Sequence, residues 1–209
     1  MGRIDDILKR LEALYPDARA ELEYSNNFEL LISVILSAQS TDDSVNRVTP
    51  ALFADYPTPE SLAEAPVEDL EAHLRPLGLY KNKAKHIKRA SHDIATRFNG
   101  RIPESQSSLE SLAGVGRKTA NVVRSVAFNI PRIAVDTHVA RVSKRLKIAE
   151  KGDVHRKIEE KLMQQLPESH WSKAHHQMIF FGRYRCKART PRCDECPLKP
   201  WCRFPDIDV

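Results

Sequence analysis

The run Leu112-Ala113-Gly114-Val115-Gly116-Arg117-Lys118-Thr119-Ala120 is followed, after one more helical stretch, by Ile133-Ala134-Val135-Asp136-Thr137-His138. Two glycines stand just ahead of a strong helical pattern formed by Lys118, Thr119, Ala120, Val122, Val123, Val126 and Ala127. Glycines at that place leave backbone N–H groups bare at a helix N-terminus, a ready site for an anion. Lys118 puts an amine in the first turn beyond the glycines. Asp136 follows the short extended segment 132–135 and is placed to cap a helix over Thr137 to Leu146. Capping alone justifies an aspartate, at a typical value of ~1 kcal/mol, and does not exclude a chemical role.

Upstream of the glycines, Ser107 with Glu110 reads as a capping box that opens a short helix from Leu109 to Leu112. Helix, Gly-Val-Gly turn and helix make a helix-hairpin-helix pattern. Further out, Ile4, Ile7, Leu8, Leu11 and Leu14 form a helical stripe closed by Pro16. Asn26 with Glu29 marks another helix start, and Phe28 to Ala38 is apolar nearly all round. Its β-branched residues would also suit a buried strand, but its length favours a core helix. That rod delivers Gln39, Ser40, Thr41 and Asp42 at its end. Thr41 or Asp42 caps the next helix, which reaches Tyr56 with a disturbance at Pro50. Thr58-Pro59 and Ala65-Pro66 open two short helices, the second expected to end at Gly78 as its C′ residue. Val154 to Leu166 and Trp171 to Tyr184 read as two more. With no convincing strand pair, internal repeat or Gly/Ser linker, the fold class is all-α.

The 209 residues carry a formal net charge of +5, which favours a polyanionic partner. From Arg75 to Arg101 the basic residues Arg75, Lys81, Lys83, Lys85, Lys88, Arg89, Arg97 and Arg101 face the single acid Asp93. The first ten residues are charged and no apolar run approaches the ~18 residues of a membrane span, so a cytosolic protein is expected. All four cysteines fall between Cys186 and Cys202. In a cytosolic chain such clustering points to a metal rather than to disulfides. The spacing Cys186-x6-Cys193-x2-Cys196-x5-Cys202 would accept structural zinc, yet it has one short knuckle where zinc sites commonly use two. Four compact thiolates also suit a [4Fe–4S] cluster, and the spacing favours the cluster.

Taken together, Leu36-Ser37-Ala38-Gln39-Ser40-Thr41-Asp42, Gly78-Leu79-Tyr80, Gly114 to Ala120, Val135-Asp136-Thr137-His138, Gly182-Arg183-Tyr184 and the four cysteines resemble the endonuclease III family. These are bifunctional DNA glycosylases of the helix-hairpin-helix superfamily, and the resemblance spans nearly the whole chain. It implies a six-helix domain over 20–131 and an iron–sulfur cluster domain made of 1–19 and 132–209, with a DNA-binding cleft between them. It implies base-excision repair of duplex DNA containing damaged bases or abasic sites: removal of oxidised pyrimidines and a nick by β-elimination. Lys118 matches the family's nucleophile and Asp136 its catalytic carboxylate. Gln39 and Leu79 match residues that enter the space left by the extruded nucleotide. Gly114, Gly116 and Arg117 match the phosphate-binding hairpin, and Lys187, Arg189 and Arg192 a basic loop that meets the backbone. Cys186, Cys193, Cys196 and Cys202 match the [4Fe–4S] ligands. A monomer is implied, cytoplasmic and nucleoid-associated if bacterial.

One departure is Ala113, where the family usually has proline; a slightly looser turn with retained function is expected. A mismatch-specific adenine glycosylase shares the hairpin, the aspartate and the cysteine spacing, but generally lacks the lysine and carries a further C-terminal domain. A non-catalytic DNA-binding module with a zinc knuckle is the rival from another class. Read without the family, Leu79 is a core leucine, Gln39 a helix-end residue, and His138, His175 and His176 are structural.

Overall fold

The computed structural model describes residues 2–204. Eleven α-helices follow in chain order among the described residues: α1 (Arg3–Leu14), α2 (Asn27–Leu36), α3 (Asp42–Asp55), α4 (Pro59–Glu64), α5 (Val67–Leu74), α6 (Tyr80–Arg97), α7 (Gln106–Glu110), α8 (Arg117–Ala127), α9 (Thr137–Arg145), α10 (His155–Gln165) and α11 (Trp171–Phe180). A π-helical turn, Phe181–Arg185, continues α11. No strand occurs among the described residues. The chain divides into two compact units, Glu21–Ile130 and Met1–Ala20 with Pro131–Val209.

The unit 21–130 is built around α2. Eight of its residues are buried, among them Leu30, Leu31, Ile32 and Leu36 with no exposure at all. Burying one such side chain stabilises by about 1.5–3 kcal/mol, so this rod anchors the unit. It packs against α3, α6 and α8, while α4 and α5 cover α6. Its start is fixed by the Asn26 side chain, which accepts the Glu29 amide at 2.9 Å, and by the Glu29 carboxylate, which accepts the Ser25 amide at 2.6 Å. At its other end Thr41 caps α3 by accepting the Ser44 amide at 3.2 Å.

The sequence reading misplaces the end of α5 and the start of α7. The helix α5 stops at Leu74, not at Gly78, because Pro76 has no N–H to extend it and the Leu77 amide closes on the Leu74 carbonyl at 2.8 Å. The left-handed residue of this connection is Leu79, not the glycine before it. The helix α7 begins at Gln106, three residues before Leu109, since its cap is Ser105 rather than Ser107: the Ser105 hydroxyl accepts the Ser108 amide at 3.1 Å. Glu110 instead accepts the Gln106 side-chain amide at 2.6 Å.

The second unit collects α1, α9, α10 and α11 around Leu11, Val139, Val142, Leu162, Met178 and Phe181. The Glu12 carboxylate ties α1 to α11, accepting from Lys173 Nζ at 2.6 Å and Gln177 Nε2 at 2.7 Å. Within helix α6 the basic run does not form one charged face. Lys81, Lys85 and Arg89 are exposed, but Lys83 is buried, Lys88 donates to the Ala65 carbonyl, and Arg97 pairs with Asp93.

Candidate active site and cluster-binding segment

The hairpin closes where the Val115 amide donates to the Leu112 carbonyl at 3.1 Å. Gly114 sits at φ +78°, and a Cβ there would come within 3.1 Å of His86 Cβ and Ile35 Cγ2. Both the conformation and the close packing on α2 and α6 therefore demand glycine. Gly116 differs: it is the extended N-cap of α8, and a Cβ on it would meet nothing within 4 Å. No packing inside the protein calls for a glycine there; its open face lets another molecule approach the backbone. The first turn of α8 holds no acidic residue and makes no side-chain cap bond, so no side chain of that turn offsets its positive end. Arg117 and Lys118 stand exposed as its first two residues.

Asp136 caps α9, its Oδ1 accepting the Val139 amide at 2.8 Å. The segment leading to it, Ile133–Val135, is buried, and the Ala134 amide donates to His175 Nδ1 at 3.0 Å. His175 is thus neutral at that nitrogen and anchors the strand-like run that delivers Asp136. His176 stacks on it at 4.7 Å, and burial holds its ring below the ordinary histidine range. Both histidines are packed, and His175 has a positioning role that the sequence did not reveal.

Below Asp136 on the same helix, Arg141 donates to His138 Nδ1 at 3.1 Å, to the Gly182 carbonyl at 2.7 Å and to the Cys186 carbonyl at 3.0 Å. Burial pushes His138 below its ordinary range, although the nearby Asp136 carboxylate pulls the other way. One turn further on, Arg145 is 1% exposed and donates to Cys186 Sγ at 3.2 Å and to the Lys187 and Ala188 carbonyls at 2.9 Å each. These two arginines at i and i+4 interrupt the apolar face of Val139, Val142 and Leu146, a signal present in the sequence but not used in reading it.

Gln39 and Leu79 are exposed and share an uncommon backbone, at φ 55° and φ 58°. For a leucine that region is a genuine outlier, of a kind that concentrates at functional sites. The two turns are neighbours, since a Cβ on Gly78 would lie 3.9 Å from the Gln39 carbonyl.

Cys186, Cys193, Cys196 and Cys202 are all free thiols and line one cavity together with Arg145, Leu146, Phe181 and Leu198. Burial pushes the Cys186 and Cys202 thiols above their ordinary range, with Arg145 opposing the shift. A cationic group among them would reverse that preference and hold them as thiolates. A single zinc ion at ~2.3 Å from each sulfur requires thiolates about 3.8 Å apart. Four free cysteines lining one cavity supply the four thiolates that a polynuclear iron–sulfur group also takes. Lys187, Arg189 and Arg192 are exposed on the loop between the first two cysteines.

Residues 32–168 match the model of the HhH-GPD superfamily of base excision DNA repair proteins, and residues 186–202 match the iron-sulfur binding domain of endonuclease III. Endonuclease III of Bacillus subtilis is 50% identical over 97% of this chain and 93% of its own length. The chain belongs to the endonuclease III family. Its likeness to the Escherichia coli endonuclease III is 43% over 98% of the chain and 97% of that protein. A solved endonuclease III, trapped as a covalent intermediate with DNA, superimposes with a TM-score of 0.93 at 49% identity, covering 97% of this chain and 96% of that one. As an endonuclease III relative the chain is a DNA glycosylase with abasic-site lyase activity. Its segment 186–202 is an iron–sulfur cluster-binding domain. No helix among the described residues is long and apolar enough to cross a membrane.

Proposed function

We propose that this chain excises oxidised pyrimidines from duplex DNA through a Schiff base on Lys118 and then nicks the strand at the resulting abasic site. The observation that carries the reading is the exposed Lys118 in the first turn of α8, two residues after a glycine with an open face. A base inside a duplex is out of reach, so the nucleotide is extruded at a cost of a few kcal/mol, smallest for damaged or mispaired bases. The Lys118 Nζ–C1′ bond then forms as the C1′–base bond breaks, and the base leaves with a proton. The sugar ring opens to a Schiff base. Loss of a C2′ proton breaks the C3′–O bond and cuts the strand.

Attack needs the unprotonated amine. Asp136 stabilises the positive charge that develops on the sugar, since an aspartate is a poor acceptor for a lysine proton in water. The amides at Gly114 and Gly116 bind backbone phosphate, which positions the DNA without reading sequence. Gln39 and Leu79 fill the gap left by the extruded nucleotide, and Lys187, Arg189 and Arg192 meet the backbone. The four cysteines hold a [4Fe–4S] cluster whose contribution is to shape the basic loop. The enzyme acts as a monomer in the cytoplasm, at the nucleoid in a bacterial cell.

A cleavage panel tests the reading: duplexes carrying thymine glycol, dihydrouracil, an abasic site or an adenine mismatch. Cutting of the first three and not of the mismatch is expected. Release of adenine without a nick would support the rival adenine glycosylase.

A further inference from the structure

Lys83 is the least expected residue of helix α6. It stands in the middle of a basic run, yet it is 4% exposed, and burial holds its amine below the ordinary lysine range. Its Nζ donates to Ser40 Oγ at 2.6 Å. No carboxylate lies within ion-pair distance of it among the described residues. A buried ammonium held by a neutral hydroxyl is an expensive arrangement, and a methionine of similar length would fill the same space without that cost. Stability therefore does not explain the lysine.

Its connections do. The Lys83 backbone amide donates to the Leu79 carbonyl at 3.0 Å, so Lys83 belongs to the turn that holds Leu79 in its left-handed conformation. Its ammonium reaches Ser40, the residue after left-handed Gln39. One side chain thus joins the two exposed turns whose backbones are both strained. Without that link each turn would relax on its own.

We infer that Lys83 is a positioning residue that fixes Gln39 and Leu79 relative to each other, so that both enter the DNA stack in one register; this rests on the roles proposed above for those two side chains. A preorganised pair inserts without losing conformational freedom on binding, and its benefit falls only on DNA that has been opened. Lys83 therefore governs the preference for lesion over intact duplex rather than affinity for phosphate.

The test compares binding of the full-length protein to a duplex with one tetrahydrofuran abasic analogue and to the intact duplex. Lys83→Met should lower the lesion preference about tenfold, about 1.4 kcal/mol, with binding to intact duplex unchanged and thermal stability equal or higher. Ser40→Ala should give a similar loss, and the double variant no further one, because both act through one bond. Lys83→Arg should recover part of the preference. Additive losses, or a Lys83→Met protein that is destabilised but keeps its lesion preference, would mark the lysine as merely structural. Gln39→Ala and Leu79→Ala are the controls. If they reduce the preference while Lys83→Met does not, only the inference fails. If neither reduces it, the roles of Gln39 and Leu79 fail and the inference with them.

Discussion

Asp136 Oδ1 accepts the Val139 amide at 2.8 Å, so the carboxylate proposed to support the chemistry is also the N-cap of α9. The two jobs separate by substitution. Asparagine caps almost as well as aspartate, so Asp136→Asn should keep its melting temperature while the glycosylase rate falls by orders of magnitude. Asp136→Ala should lose the same activity and a further ~1 kcal/mol of stability, measured by urea unfolding. An active Asp136→Asn protein would leave the residue with capping alone.

Gly182 is tied to the same helix. A Cβ there would stand 2.9 Å from His138 Cβ and 3.3 Å from Arg141 Nη2. Gly182→Ala should therefore push the π-turn away from α9 and cost about 1–3 kcal/mol in unfolding experiments. Because Arg141 binds the Gly182 and Cys186 carbonyls, the cluster's visible absorbance should change as well.

How much of this was written in the sequence differs from part to part. The helix starts at Asn26 and Asp136 are legible because capping is local chemistry between residues three apart, and the start of α3 is legible to one residue, Thr41 or Asp42, of which the structure selects Thr41. Ser107 reads as the cap where Ser105 serves, because several neighbouring serines can each cap and only the tertiary fit of α7 selects one. Gly78 reads as a helix end from its residue type, yet Pro76 already ends the helix and the left-handed backbone falls on Leu79. The buried direction of Lys83 was hidden for a similar reason: charge patterning reports composition, whereas burial depends on which face α2 and α4 cover. The anchoring of Ala134 by His175 joins residues 41 apart in sequence, a separation that no local pattern encodes.

The side chain of Asp153 gives a pH signature. It is almost fully buried and accepts from Lys161 at 2.6 Å, from the Glu150 amide at 2.7 Å and from Lys157 at 3.1 Å. These partners, the Lys161 bond first, hold its carboxyl far below the ordinary range. A depressed folded value stabilises above the unfolded value of ~3.9 and the benefit is lost as pH falls through and below it. Melting curves should show Asp153→Asn less stable than the parent at pH 7, with the gap closing below about pH 4. A gap that is constant with pH would assign the loss to geometry instead.

The basic loop should register in salt dependence. Each phosphate contact contributes a slope of about −0.9 in log K against log salt. Removing Lys187, Arg189 and Arg192 together should flatten the slope by roughly two to three units, with little change in which lesion is preferred. An unchanged slope would take the loop out of the interface.

The most direct measurement is borohydride trapping on a duplex with an abasic site, with the parent protein beside Lys118→Gln. Reduction should convert the Schiff base of the parent into a stable protein–DNA adduct that survives denaturing electrophoresis, and Lys118→Gln should give none. An equal yield of adduct from Lys118→Gln would contradict the assignment of Lys118 as the nucleophile.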